Sequence, residues 1–174
     1  MILKLLPIES GDRKQYKLDM QEAFQLGAKE GDYPLEADEI ILPEADIEHS
    51  LHTAGALAYK AVDETGAMVG GAIVVIDPVT QHNHLDFLYV KCGVQNKGIG
   101  KFIWFELEKL HPETKVWITC TPYFEKRNIH FYVNVCHFHI VDFFNAHYPD
   151  PNFPDAIPGC DEDGMFGFQK KMRN

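Results

Sequence analysis

The chain has 174 residues, 45% hydrophobic and 12% aromatic, which suits one domain, 1–174, with a sizeable core. Its formal net charge of −10 argues against the basic face that nucleic acid requires, and fits a cationic or amine partner instead. No run approaches the ~18 apolar residues of a membrane span, and the start, Met1 to Pro7, is too short and wrongly flanked for a signal peptide. The four cysteines form no CxxC pair, which points to reduced thiols in a cytoplasmic protein.

Residues 2 to 6 predict an edge strand. Tyr16, Met20, Ala23, Phe24 and Gly27 fall at helical spacing over residues 12 to 26, with Asp12 as N-cap and Gly27 as terminator. Residues 28 to 44 are acidic and punctuated by Gly31, Pro34 and Pro43. Two readings stand for the carboxylates between Glu30 and Glu39: they hold a substrate ammonium, or they form a solvated loop. A short second helix is expected over 45 to 51. Strands at 56 to 62 and 68 to 76 are joined by the hairpin turn Asp63-Glu64-Thr65-Gly66.

The next strand is expected over 84 to 90. The helix after it carries Phe102, Ile103, Leu107 and Leu110 on one stripe, with Pro112 beyond its end. A strand at 115 to 120, a helix near 126 to 135 and a strand at 137 to 144 follow. Residues 145 to 164 read as a long loop, and 165 to 172 as the final strand. The Pro-rich part of that loop, 149 to 158, either covers one side of a site or supplies a homodimer contact.

Gln95-Asn96-Lys97-Gly98-Ile99-Gly100-Lys101 joins the strand at 84 to 90 to the following helix. Free backbone N–H groups at a helix N-terminus favour negative charge. Gly98 and Gly100 let a phosphate approach the main chain, and Lys97 and Lys101 add positive charge. The turn therefore reads as a site for phosphate or pyrophosphate. It is not a P-loop, because no Gly-Lys-Ser/Thr occurs. It is not the dinucleotide fingerprint either, because Ile103 stands where a third small residue is required.

What remains, Gln-x-x-Gly-x-Gly, resembles the acetyl-CoA pyrophosphate loop of the GNAT superfamily of acyl-CoA-dependent N-acetyltransferases. Residues 128 to 138, with Asn128, Phe131-Tyr132 and Phe138, look like that family's late motif, except that His137 occupies the usual glycine position. The likeness covers roughly residues 56 to 144 in recognisable order. It implies an α+β fold: a mixed, mostly antiparallel central sheet of about six to seven strands flanked by about four helices, splayed where acetyl-CoA enters. It also implies that the main chain at Leu88, Tyr89 and Val90 meets the pantetheine arm and the thioester carbonyl. The diphosphate falls to residues 95 to 101, including Ile99 and Lys101. Tyr132 matches the general acid toward the CoA sulfur, and Asn128 the partner of the pantetheine.

Family members often place a carboxylate on the strand before the loop to take the amine proton. Strand alternation puts His84, Asp86, Leu88 and Val90 on one face and Leu85, Phe87 and Tyr89 on the other. Asp86 is the first candidate base and His84 the second. The expected reaction is acetyl transfer from acetyl-CoA to a primary amine, of a small molecule, a peptide N-terminus or a lysine, by direct attack in a ternary complex. One rival is a non-catalytic CoA-binding module, prompted by His137. Another is a metal-binding protein built on His130, His137, His139, His147 and Cys136; with neither CxxC nor HExxH spacing present, no metal is expected. Cys120 and Cys136 read as buried small hydrophobes.

Overall fold

The structure, a computed structural model, describes residues 1–31, 33–151 and 164–173. Seven strands make one sheet: β1 (Lys4–Pro7), β2 (Ala56–Val62), β3 (Met68–Val75), β4 (His82–Val90), β5 (Val116–Pro122), β6 (His139–Phe144) and β7 (Met165–Lys171). Their order is β1-β2-β3-β4-β5-β7-β6. The β4–β5 pair is parallel and the other five pairs are antiparallel. On one face lie α1 (Arg13–Glu30) and α2 (Glu44–His52). On the other lie α3 (Ile99–Leu110) and α4 (Lys126–His130), the latter continued by a π-helical turn over Phe131–Val135. This is the mixed, splayed sheet with four flanking helices that the sequence predicts. No helix among the described residues is long and apolar enough to cross a membrane.

The α3 stripe explains its own placement. Ile99, Ile103, Trp104 and Leu107 recur at three- and four-residue steps and are buried against the sheet. Trp104 meets Trp117 of β5 edge-on, with ring centroids 5.3 Å apart. Each such side chain contributes roughly 1.5–3 kcal/mol through burial. The opposite layer is pinned by Tyr16 of α1, whose phenol donates to the Ala72 carbonyl at 3.0 Å and whose ring meets Tyr89 at 5.5 Å.

Helix α1 departs from expectation at both ends. It does not stop at Gly27 but runs to Glu30, and Gly31 N–H returns to the Gly27 carbonyl at 2.9 Å. Asp12 sits at the N-cap position without capping the helix. Its carboxylate accepts the Glu9 N–H at 2.8 Å and the Lys60 ammonium at 2.7 Å instead, and the Lys60 hydrogen bond lowers its pKa.

Two irregularities shape the centre. The first is the splay. β4 and β5 pair only at His82↔Val116, Asn83↔Trp117 and His84↔Ile118, then separate. The Thr119 hydroxyl still reaches the Leu85 carbonyl at 2.9 Å. The second is a bulge in β4. Leu85 pairs with Val74 and Phe87 with Ile73, so Asp86 is an extra residue without a partner on β3. The bulge overturns the simple alternation. Leu85, Leu88 and Val90 pack toward α3, whereas Phe87 and Tyr89 pack toward α1 and α2.

The π turn ends at His137, whose φ of 68° is left-handed. The histidine thus adopts the backbone that glycine usually serves, with its own side chain exposed. Phe138 N–H then bonds the Tyr132 carbonyl at 2.8 Å, and the Phe138 ring enters the core. β6 accordingly begins at His139, two residues later than the pattern suggests.

Candidate active site

A cavity of about 1260 Å³ opens where β4 and β5 part and continues under α1 and α2. At one end lies the glycine turn. Asn96 (φ 63°) and Gly98 (φ 77°) are both left-handed, and Gly98 is the N-cap of α3. No side chain caps this helix. Phe102 is the first residue whose N–H bonds back, to Gly98 at 3.0 Å. The amides of Ile99, Gly100 and Lys101 are thus the orphan donors of a helix start, and these residues line the cavity. A Cβ on Gly98 would meet nothing within 4 Å, so space over the turn is open to a ligand. An uncapped helix start, a left-handed glycine and an open cavity fit the diphosphate of an acyl-CoA.

The other residues expected at this turn divide. Gln95 uses its amide oxygen to accept the Gly93 N–H at 2.8 Å, bracing the loop from within. Lys101 lines the cavity, while Lys97 is exposed and does not. Arg127 at the start of α4 was not foreseen. Its guanidinium forms an ion pair with Glu30 of α1 and donates to the Asn96 side chain at 3.4 Å, tying three segments together at the cavity mouth. Leu88, Tyr89 and Val90 stand on the stretch of β4 that β5 has left, where the edge facing β5 has no strand partner.

Deeper in, Asp86 and His84 share the cavity wall, as expected. Asp86 Oδ2 accepts the Ser50 hydroxyl of α2 at 2.7 Å. Burial raises the Asp86 pKa, against the opposing pull of Ser50, His84 and His49. Across the gap, Tyr132 is 7% exposed and packs among Phe131, Phe138 and Phe168. Its phenol lies beside the Thr119 side chain, and burial pushes its pKa far up, so it holds its proton at neutral pH. Asn128, one turn earlier, donates to Thr121 Oγ1 at 3.3 Å. Asn128 and Tyr132 thus both reach β5 from one side, as their spacing implies.

Three cavity carboxylates went unseen in the sequence. Glu125 is 9% exposed, lies against Gly27 of α1, and its carboxylate makes no hydrogen bond or ion pair among the described residues; burial raises its pKa, opposed by the nearby Arg127. Asp46 of α2 has a buried Oδ2 without a hydrogen-bond partner, and its pKa is also raised by burial. Asp150 lines the cavity from beyond β6, and the Cys120 thiol points at its Oδ2 from 3.6 Å. Burial drives the Cys120 pKa well up, so the group is a thiol and not a nucleophilic thiolate. Among the described residues, the acidic stretch from Glu30 to Glu39, by contrast, supplies only Glu30 to the cavity, while Glu39 is engaged by Tyr33 and the Glu36 N–H. Most of the Pro-rich segment 149 to 158, together with Asp32, lies outside the described residues.

The histidine-cluster reading gains nothing. Among the described residues no three His, Cys, Asp or Glu side chains are gathered as a metal site, and His130 is engaged by Asn134 at 2.9 Å.

Comparison with known proteins matches residues 17–138 to the acetyltransferase (GNAT) family. The chain is 39% identical over 175 residues to the protein YrkN of Bacillus subtilis (strain 168), covering 95% of this chain and 91% of that one. Its fold is similar to the PaiA N-acetyltransferase of Thermoplasma acidophilum in complex with coenzyme A, with a TM-score of 0.72, 16% identity, and coverage of 99% and 100% of the two chains. It is also similar to the spermidine N-acetyltransferase of Vibrio cholerae in complex with CoA and spermine, with a TM-score of 0.68, 12% identity, and coverage of 97% and 95%.

Proposed function

The chain belongs to the GNAT family of acetyltransferases, and from that premise we propose that it transfers the acetyl group of acetyl-CoA to a primary amine by direct attack in a ternary complex. The observation that carries the reading is one continuous cavity joining the uncapped start of α3 to Asp86 on one wall and Tyr132 on the other.

Acetyl-CoA supplies the thioester; the residues of this chain do the rest. Amides from Gln95 to Lys101 hold the diphosphate at the positive end of α3. The unpaired edge of β4 at Leu88, Tyr89 and Val90 and the Asn128 side chain align the pantetheine arm. A backbone N–H of that edge stabilises charge developing on the carbonyl oxygen. An alkyl ammonium titrates near ~10.4 and cannot attack until it loses a proton. Asp86, oriented by Ser50 and made more basic by burial, takes that proton, with His84 beside it. As the C–N bond forms and the C–S bond breaks, the Tyr132 phenol gives its proton to the departing sulfur, and the proton the new amide nitrogen must still lose restores the phenol.

Thiol release from acetyl-CoA with a panel of amines tests the reading. Amine-dependent release is expected. Tight acetyl-CoA binding with no release for any amine would instead identify a CoA-binding module without catalysis.

A further inference from the structure

The cavity holds more negative charge than one proton-transfer step requires. Its carboxylates are Glu30, Asp46, Asp86, Glu125 and Asp150, and its permanent cations are Lys101 and Arg127. Arg127 is committed to Glu30, and Lys101 stands on the glycine turn. Asp46, Asp86 and Glu125 therefore face the cavity without a lysine or arginine ion pair among the described residues. Burying such groups is unfavourable unless a ligand completes them.

Two of them lack a full set of partners among the described residues. Glu125 is 9% exposed, and its carboxylate makes no hydrogen bond or ion pair there, with Arg127 the nearby cation, while His49 is the one near Asp46. Asp46 keeps a buried oxygen with no partner. Their placement is specific. Asp46 and Ser50 are four residues apart on α2, so they stand on one helix face with Cβ atoms ~5–6 Å apart. Ser50 is itself bonded to Asp86. Asp46 is thus one helical turn along α2 from the serine that holds the base assigned to the reaction.

We propose that the acceptor is a linear aliphatic di- or oligoamine. Its reacting nitrogen sits at Asp86, its second ammonium group at Asp46, one short alkyl spacer away, and any third nitrogen falls toward Glu125. This rests on the acetyl-transfer reading and narrows it. A monoamine leaves Asp46 and Glu125 uncompensated. A zwitterionic amino acid adds a carboxylate to a cavity that already repels one.

Initial rates of acetyl-CoA-dependent thiol release decide the matter with three acceptors: 1,4-diaminobutane, n-butylamine, and a peptide carrying one lysine and a blocked N-terminus. The expected kcat/KM for the diamine exceeds that for n-butylamine by more than about tenfold, the scale of a desolvated charge contact. In Asp46→Asn that ratio falls by about tenfold, chiefly through the diamine KM, while calorimetric acetyl-CoA affinity shows the variant to be folded. Equal efficiency for diamine and monoamine in the unmodified protein, or preference for the peptide, overturns the proposal and leaves acetyl transfer standing. Absence of release with every amine removes both. Should Asp46→Asn fail to fold, the diamine-to-monoamine ratio of the unmodified protein decides alone.

Discussion

Replacing Tyr132 by Phe removes one oxygen from the centre of the cavity and nothing else. The ring keeps its neighbours, with Phe131 and Phe168 both at 5.5 Å and Phe138 at 5.7 Å between centroids. What is lost is the polar contact of the phenol beside Thr119, up to ~1 kcal/mol of stability. In a chain of this size that lowers the melting temperature by roughly 2–4 °C. The kinetic loss is of another order. A general acid contributes ~10²–10⁴ in rate, or ~2.7–5.4 kcal/mol of barrier. Stability and turnover therefore separate cleanly. Thiol release under saturating substrates should fall at least about a hundredfold. Acetyl-CoA affinity by titration calorimetry should stay within about threefold, since the phenol acts on the departing sulfur and not on the bound diphosphate. Turnover preserved within that same factor would show that another donor protonates the sulfur, and the role given to Tyr132 would be wrong.

Asp86 accepts a proton only when ionised, so activity falls as pH falls through its pKa. Because burial raises that pKa, the acid limb of kcat/KM should lie at higher pH than an ordinary aspartate would give, and Asp86→Asn should abolish the limb while lowering kcat ~10²–10⁴-fold. Gly98→Ala should raise the KM for acetyl-CoA and leave the amine KM alone. A Cβ there meets no atom within 4 Å, so the cost is conformational, about 1–2 kcal/mol for a left-handed alanine. His137→Gly should stabilise the fold by up to ~1 kcal/mol in denaturant unfolding, and His137→Val should destabilise it, since the position is exposed and its φ of 68° suits neither histidine nor a β-branched residue.

What could be read from the chain alone was local chemistry. The glycine turn was legible because its cause lies within seven residues: positive φ, an uncapped helix start and nearby lysines. The α3 stripe was legible because periodicity alone determines which face is buried. The β4 faces were only half legible. His84 and Asp86 do share a wall, but period-two alternation carries no sign of a bulge, which arises from pairing with β3, so Phe87 and Tyr89 changed sides. Gly27 misled for a related reason. In sequence it resembles a helix stop, yet in the fold it lies inside α1 against Glu125, where a Cβ would stand at an ordinary contact distance of 3.6 Å from that carboxylate. Glu125, Asp46 and Asp150 were invisible because their burial depends on contacts between distant elements. The acidic run at 30 to 39 drew attention by density alone and, among the described residues, gives the cavity a single carboxylate.

The three rungs between β4 and β5 divide the sheet into a block of four strands and a block of three. Beyond His84 the hinge is crossed by the Thr119–Leu85 hydrogen bond. Such a seam can widen like a zip opened from one end, without any rung being lost. In the proposed reaction the thioester arm would lie in this seam as its missing slider, against the open edge of β4. Amide hydrogen exchange along Leu88 to Val90 and Thr119 to Thr121 should therefore slow together when acetyl-CoA binds, while the outer strands β1 and β6 keep their own rates.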